Sequence, residues 1–449
     1  MTNTTIWETY MKRNAASAAC LVTLVLSAVP ALAQTSVTIY GTLDVGLDRV
    51  DKGQGNVQGT VFGVSGATPV PNNIAAPASV TARVSPSHTR QSNIGFKGVE
   101  DLGGGYRGLF VLESGITIDN GGLANDSRLF GRQAYVGLTT PGGEVKIGRQ
   151  ASPMLIGYYL VTPEALGSTD FFGAGLVVNT LQTWQDNQVS YAIKQGPWLG
   201  ILSYSTNSGV GPGISAARSV ATSSTPVATN ATGQILGGLS AGAETASGRG
   251  KTAGALFAYR SDDLTALAAY HRNNFDNVPI GVVSGTTLVP LFYGERFTSY
   301  VGAVKYTIPN LGTTVALAGH NAKFNLRGNT DPEVRTWTAT IKHPVGLFDV
   351  SAIFLDTRFT NYTRGTDRGV MLGLDYNFSK RTALYSRWGG IKDKRGNTVV
   401  SSATPLPLAG GPGSILIPLG TQEVPLFSGA GQNIDARTTM LSLGIRHAF

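Results

Sequence analysis

The side-chain patterns best able to carry catalysis in this sequence are two short glycine motifs. Gly238–Gly242 (GLSAG) has the spacing of a serine nucleophile on a sharp turn, and Gly103–Gly108 (GGGYRG) has the glycine spacing of a dinucleotide-binding turn. The first has no strand before it, and the second joins two alternating segments without a helix to face a phosphate. The first match is interpreted as chance and the second as a hairpin turn. No catalytic residue and no enzyme activity are predicted, although groups distant in sequence could still meet in space.

Metal and thiol chemistry also lack support in the sequence. The five histidines are scattered singly, without the spacing of metal ligands: His88, His271, His320, His343 and His447. Cys20 is the only cysteine and lies in the amino-terminal segment, so the rest of the chain has no thiol. We expect no metal and no cofactor, and among the histidines only His320, on the wet face of its segment, is of interest.

Residues 1–33 are predicted to be a cleaved signal peptide. Lys12 and Arg13 precede an apolar stretch, and Ala31-Leu32-Ala33 before Gln34 is the small-x-small pattern of signal peptidase sites. Glu8 is unusual so early in such a segment, which favours Met11 as the true start. Removal of two cations and one anion changes the formal net charge from +8 to +7. The charge forms no block, so nucleic acid is not an expected partner.

Alternation of apolar and polar residues dominates the remainder, residues 34–449, which are expected to form one domain. In Ser36–Asp48 the residues Val37, Ile39 and Leu43 fall on one side, with threonine, tyrosine and aspartate on the other. Arg437–Phe449 repeats the pattern and ends on Phe449. No apolar run of 18 residues follows Gln34, so helical spans are not expected, and a closed β-barrel is the other architecture that spans lipid.

Turn signals give the number of strands. Seven short turns predict seven hairpins and one strand at each end, hence sixteen strands; the turns are Glu100–Gly105, Thr139–Gly143, Lys194–Pro197, Arg260–Asp263, Ile308–Gly312, His343–Gly346 and Phe378–Arg381. The opposite ends are long and rich in Gly, Ala, Ser, Thr and Pro: Asp51–His88, Ala151–Gln185, Asn207–Gly248 and Gly396–Ala436. Short turns at one rim and long loops at the other are typical of outer-membrane barrels.

A soluble sandwich or solenoid is the main structural alternative, because its strands would alternate equally well. Aromatic residues near strand ends on the dry faces favour the membrane barrel, since they match interfacial girdles: Trp198, Tyr204, Tyr259, Trp337, Tyr376 and Trp388. The sequence therefore predicts an all-β fold, a sixteen-stranded antiparallel transmembrane barrel.

Several segments then resemble the trimeric general porins of Gram-negative bacteria, in their β-proteobacterial branch. The segments run in order from the first strand to the last: Ser36–Leu47, Asn93–Gly115, Leu129–Gln150, Asp186–Ala192, Leu374–Tyr385 and Gly444–Phe449. The resemblance implies an outer-membrane location, a third loop folded into the barrel, homotrimers, passive diffusion of small hydrophilic solutes and ions, and insertion by the barrel-assembly machinery, with Phe449 in the assembly signal. Lipid and lipopolysaccharide are the expected surroundings.

The residues expected to line the narrowest part of the pore follow from strand parity and from the resemblance. Parity places Lys97, Lys146 and Arg387 on the wet faces of their strands. Arg132 and Arg149 are expected at the rim, where Arg149 would open the third loop, and that loop supplies Glu164 and Asp170. Where the resemblance leads us to expect an arginine, the chain has Trp184 and Gln185.

This excess of basic residues predicts a weak preference for anions. A substrate-specific channel, a barrel enzyme and an adhesin are the alternatives that the sequence leaves open.

Overall fold

The computed structural model describes residues 36–56, 75–86, 89–125, 128–162, 184–208, 250–284, 287–327, 331, 333–360, 365–394, 400–401, 414–415 and 435–449. The predicted signal peptide and most of the long loops lie outside these residues. No helix in the described part of the chain is both long and apolar enough to cross a membrane.

Sixteen strands in the described ranges form one antiparallel sheet. They are β1 Ser36–Lys52, β2 in two segments Ser79–Pro86 and Asn93–Gly103, β3 Tyr106–Thr117, β4 Gln133–Thr140, β5 Gly143–Ala151, β6 Trp184–Gln195, β7 Trp198–Ser205, β8 Thr252–Arg260, β9 Leu264–Ser284, β10 Thr287–Thr307, β11 Thr314–Arg327, β12 Glu333–Val345, β13 Phe348–Thr360, β14 Gly365–Asn377, β15 Thr382–Asp393 and β16 Arg437–Ala448. Three short pairings accompany them: Gly122–Leu123 with the end of β3, Gly55–Asn56 with Ala75–Ala76, and Val400–Ser401 with Ser414–Ile415.

The first and last strands close the sheet into a barrel. β1 pairs with β16 from Thr42 opposite Ala448 to Lys52 opposite Thr438. The terminal Phe449 continues this ladder, because its N–H donates to the Gly41 carbonyl at 3.0 Å and the Gly41 N–H donates to the Phe449 carbonyl at 3.2 Å. Closure leaves no edge strand, which is what a sheet in lipid requires, because hydrocarbon satisfies no N–H or C=O group.

The seven predicted turns are confirmed, and they join the hairpins β2–β3, β4–β5, β6–β7, β8–β9, β10–β11, β12–β13 and β14–β15. Gly105 and Gly196 have φ values of 84° and 56° in two of these turns, a backbone region that glycine enters without steric cost. The predicted count of sixteen strands is therefore confirmed, and so are the seven turns from which it was predicted.

The two sides of the wall differ as the alternation predicts. Outward-facing apolar residues are exposed, among them Leu47 at 65% and Leu202 at 62%, as are the predicted girdle residues Trp198, Trp337 and Trp388. An exposed apolar surface of this extent is unfavourable in water and favourable against lipid tails. The barrel is thus built with its apolar side outward.

One segment predicted as loop is a strand. Ser79–Pro86, inside the expected loop Asp51–His88, pairs with the upper half of β1 from Val45 to Lys52. Its alternation was present in the sequence, with Val80 and Val84 outward and Arg83 inward beside Asp48 at 3.3 Å. Because the two segments of β2 are separated in the sequence, the sequence alone does not indicate that they belong to one strand.

Closure at Gly41 gives a stability prediction. A Cβ atom at Gly41 would lie 2.5 Å from the Asn93 carbonyl oxygen and 2.5 Å from the Phe449 ring. We expect Gly41→Val to destabilise the barrel by about 1–3 kcal/mol or to prevent folding, because the Asn93 backbone cannot yield as a flexible side chain does. The matched control is Gly302→Val, where a Cβ would meet no atom within 4 Å. The yield of heat-modifiable folded barrel measures both, and equal yields would contradict the proposed role of Gly41 in closure.

Candidate pore-lining site

Lys97 lies on the inner face of the barrel. Its register partner on β1 is Thr38, and Thr42 on the same face is the partner of Asn93. The side chain is exposed, and its Nζ lies 5.1 Å from the centre of the Tyr40 ring, a cation–π distance. The outward Phe96, 37% exposed, confirms the parity of this strand.

Arg132 is the centre of a buried polar network beside Lys97. It precedes β4, is only 8% exposed and forms an ion pair with Glu113 of β3. Its guanidinium also donates to Gln91 and lies 4.7 Å from the centre of the Trp184 ring. The Glu113 carboxylate also accepts hydrogen bonds from the Tyr40 hydroxyl at 2.7 Å and from the Gln133 side-chain amide at 3.2 Å. This network joins β1, β3, β4 and β6 across the inner wall.

The third loop begins with a helix that lies inside the barrel. α1 spans Pro153–Val161, with Ser152 as its N-cap, whose hydroxyl accepts the Leu155 N–H at 3.2 Å. Met154, Leu155 and Tyr158 are buried against inward apolar residues of the wall, which include Leu256, Leu267 and Val301. Tyr159 on α1 interacts electrostatically with the Arg132 guanidinium. The inward-folded third loop is therefore confirmed for the described residues 152–162.

Burial under α1 also explains the environment of His320. This residue is on the inner face of β11 and 6% exposed, and the Tyr158 ring meets it edge-on at 6.3 Å between ring centres. Burial raises the pKa of the Tyr158 hydroxyl, which keeps that group neutral. His320 is thus a packed residue under α1. The described residues contain no group of three or more potential metal ligands.

Lys146 and Arg387 also lie on the inner face, but each has an acidic partner. The Lys146 Nζ is 2.6 Å from Glu144 on the same strand. Arg387 is completely buried, and its Nη2 donates to Asp375 on the neighbouring strand at 2.9 Å and 3.1 Å. The structure therefore groups Lys97 with Arg132, whereas Arg387 belongs to the wall formed by β14 and β15.

Arg149 differs from the expectation that it opens the third loop and faces the constriction. It is within β5, where it pairs with Ala134 and is out of phase with the inward Lys146. Its guanidinium donates to the Gly131 carbonyl at 2.7 Å and to Asp186 at 2.5 Å, and Asp186 also pairs with Arg128 at 2.8 Å. The strand register places Arg149 on the outer face, so it is removed from the pore-lining set. Glu164 and Asp170 lie outside the described residues.

Sequence reasoning missed an inward bulge between the two segments of β2. Its anchor is Asp44 of β1, whose carboxylate accepts the Thr89 and Arg90 N–H groups at 2.8 Å each and the Tyr385 hydroxyl at 2.6 Å. The backbone of Thr89 and Arg90 therefore lies on the inner side of the wall, and the Arg90 side chain is exposed. In the sequence, the only indication of this role is that Asp44 lies on the polar, inward side of β1. Its hydrogen-bond partners are distant in sequence, so no local pattern predicts them.

A closed barrel with an apolar outer surface, a charged interior and a helix folded inside it defines the class of outer-membrane channels. The profile of the Gram-negative porin family matches residues 15–396, and the chain belongs to that family. The porin location, the cell outer membrane, follows from this membership. The family consists of channels and not of enzymes.

Relatives and solved structures agree with this assignment. Outer membrane porin protein 32 of Delftia acidovorans is 26% identical over 434 residues, which cover 93% of this chain and 95% of that protein. An outer membrane porin protein of Bordetella pertussis is 34% identical over 172 residues, so the chain spans only 40% of that relative. The anion-selective porin from Comamonas acidovorans has the same fold, with a TM-score of 0.61, 20% identity, and coverage of 93% of this chain and 100% of that one.

The buried pair Arg387–Asp375 gives a double-mutant prediction. Arg387→Met alone should destabilise the barrel by about 3–5 kcal/mol, because it leaves the buried Asp375 carboxylate without its guanidinium. Arg387→Met combined with Asp375→Leu should recover most of this loss. Denaturant midpoints of the folded barrel measure both variants. A double variant as unstable as the single one would show that the ion pair does not dominate this site.

Proposed function

We propose that this porin is a passive, weakly anion-selective channel for small hydrophilic solutes and ions. Its constriction lies between the third loop and the part of the inner wall that carries Lys97 and Arg132. The observation that carries the proposal is the difference between the two signs of charge on the inner wall. Most inward carboxylates of the described strands are in ion pairs or buried, whereas Lys97 is exposed and has no acidic partner among the described residues.

Five ion pairs neutralise inward carboxylates in the described part of the wall: Glu113–Arg132, Glu144–Lys146, Asp48–Arg83, Asp349–Lys342 and Asp375–Arg387. Asp44 is buried, and backbone N–H groups and Tyr385 occupy its carboxylate. A mobile cation in the pore would find few accessible carboxylates on this wall. An anion would find the ammonium group of Lys97.

The geometry of the wall also supports a fixed constriction. Arg132 links the wall to Tyr159 on α1, and α1 packs on the opposite, apolar part of the inner wall. The third loop is thereby attached on both sides of the lumen. Rings of Lys or Arg in a pore favour anions, and a rigid constriction keeps these charges in place.

We also propose that the protein forms a homotrimer and that its signal peptide is cleaved after Ala33. The anion-selective porin from Comamonas acidovorans is similar in fold, and a Vibrio cholerae outer membrane protein of 13% identity and TM-score 0.55 has been solved in a trimer form. Phe449 at the closing seam is proposed to form part of the signal for the barrel-assembly machinery.

Reversal of the charge at Lys97 is expected to change the ion selectivity of the channel. Lys97→Glu should lower the anion-to-cation permeability ratio by about twofold, a modest effect because salt screens a charge beyond ~10 Å at 0.1 M. Lys392→Glu is the matched control, since Lys392 lies on the outer side of β15 opposite Arg368 and Arg437. Reversal potentials across a potassium chloride gradient measure both. A cation preference in the unchanged protein, or an equal shift from Lys392→Glu, would contradict the proposed constriction.

A further inference from the structure

The inner wall of β2 and β3 carries apolar residues at positions where the lumen of a porin is ordinarily polar. Val99 follows Lys97 on the inner face of β2, and its register partner on β3 is Leu109. The partner of Lys97 itself on β3 is Val111. Strand parity therefore turns Val99, Leu109 and Val111 toward the lumen together with Lys97. These three apolar residues are called the apolar strip.

The apolar strip is open to the lumen. Val99 is 40% exposed, and Leu109 and Val111 are half-buried. Inward apolar residues of β8 and β10 differ, because Leu256 and Val301 are buried against α1. Packing of the third loop thus accounts for the apolar residues on that part of the wall, and it leaves the strip unexplained. Clustered exposed apolar residues are typical of ligand-binding surfaces.

The apolar surface continues from the strip onto β4. Tyr135 on β4 is the register partner of Val111 and is half-buried, and the Lys146 Nζ lies 5.3 Å from the centre of its ring. Leu109 leans over Gly137 of the same strand, where a Cβ atom would lie 2.9 Å from the Leu109 Cδ1 atom. An aromatic ring therefore borders the strip at the level of Lys97, and such a ring favours contact with another apolar or aromatic group.

The charges around the strip are paired with one exception. Lys146 is 2.6 Å from Glu144, and Asp101 and Arg107 are register partners in the row nearest the short turn. Lys97 lies at the upper end of the strip, roughly 7 Å along β2 from the next inward residue at 3.3 Å per residue. It is exposed and has no acidic partner in the described ranges. A solute on the strip therefore meets the Lys97 ammonium as an available positive charge.

A carboxylate with a compact apolar body matches this surface better than other solutes. The carboxylate accepts a charge-assisted hydrogen bond from Lys97, and the apolar body covers the strip and removes it from water. A small hydrophilic anion leaves the strip wet, and a neutral apolar solute leaves Lys97 without an anion. A body that is aromatic also packs on Tyr135.

We propose that Lys97, Tyr135 and the apolar strip form a binding site for carboxylates with an aromatic or branched aliphatic body. The inference rests on the proposed function, because a solute reaches the strip through the pore. It also goes further, since the proposed function concerns anions against cations and this site discriminates among anions by their apolar part.

Benzoate tests the site in single-channel recordings of the purified porin in potassium chloride. Benzoate held on the strip obstructs the chloride current, so it should lower that current in proportion to its occupancy. Lactate, a small hydrophilic carboxylate, and benzamide, the neutral analogue of benzoate, should each need roughly fivefold higher concentrations for the same effect, because one lacks the apolar body and the other the charge.

Two substitutions separate the apolar contribution from the charge. Val99→Thr with Val111→Thr keeps β-branched side chains of similar shape and should raise the benzoate concentration needed by roughly fivefold, with lactate unaffected. Lys97→Gln should weaken benzoate and lactate alike, because its charge acts on every anion. Val136→Thr with Val145→Thr, on the outer faces of β4 and β5, is the matched control and should respond to benzoate as the unchanged protein does.

Four results would overturn the proposal. These are a benzoate effect no stronger than that of lactate, a benzamide effect equal to that of benzoate, a threonine pair on the strip that responds as the unchanged protein does, and an equal loss in the outer-face control. Reversal potentials of the same channels without benzoate test the proposed function separately. A cation preference there would contradict the proposed function, while a benzoate effect that depends on the strip would still support this site.

Discussion

Every backbone N–H and C=O group that enters lipid needs a partner within the protein, and this requirement determines the structure. The ladder between β1 and β16 meets it by removing the two edges that a sheet would otherwise expose. Once the sheet is closed, alternate residues must face lipid or lumen, because side chains along a strand point to opposite sides. The position of each charge then follows from the parity of its residue. Closure at Gly41 and Phe449 is accordingly a precondition for the pore.

The interior is divided into two chemically different halves. Many inward residues of β8–β11 are small or apolar, such as Leu256, Leu267 and Ala303, and α1 covers several of them. Inward residues of β1–β5 and β12–β16 carry the ion pairs and the exposed Lys97. Since α1 packs on the apolar half, the proposed constriction lies along the charged half. The apolar residues of the lumen thus position the start of the third loop, and the polar ones form the proposed pore lining.

Much of the fold was predictable because its determinants are local. Turn residues such as Gly196 and alternation in Ser36–Asp48 depend on neighbours in the sequence, and they gave the strand count. The N-cap pattern Ser152-Pro153 could have predicted α1 in the same way. The candidate site was less predictable. Parity correctly placed Lys97, Lys146 and Arg387 on the inner face. Arg149 is three residues after Lys146 on the same strand, so the same rule would have placed its side chain outward. Asp44 and its bulge depend on contacts between distant segments, which no local pattern encodes.

The central claim is that strand parity separates a water-filled lumen from lipid along each strand. Single-channel recording with a negatively charged thiol reagent tests it on neighbouring cysteine substitutions, because residues 34–449 of the natural sequence contain no cysteine. The account predicts that the reagent lowers the conductance of Lys97→Cys and Lys146→Cys and leaves Phe96→Cys and Val145→Cys unchanged. Conductance lowered in both members of each pair, or in neither, would contradict it.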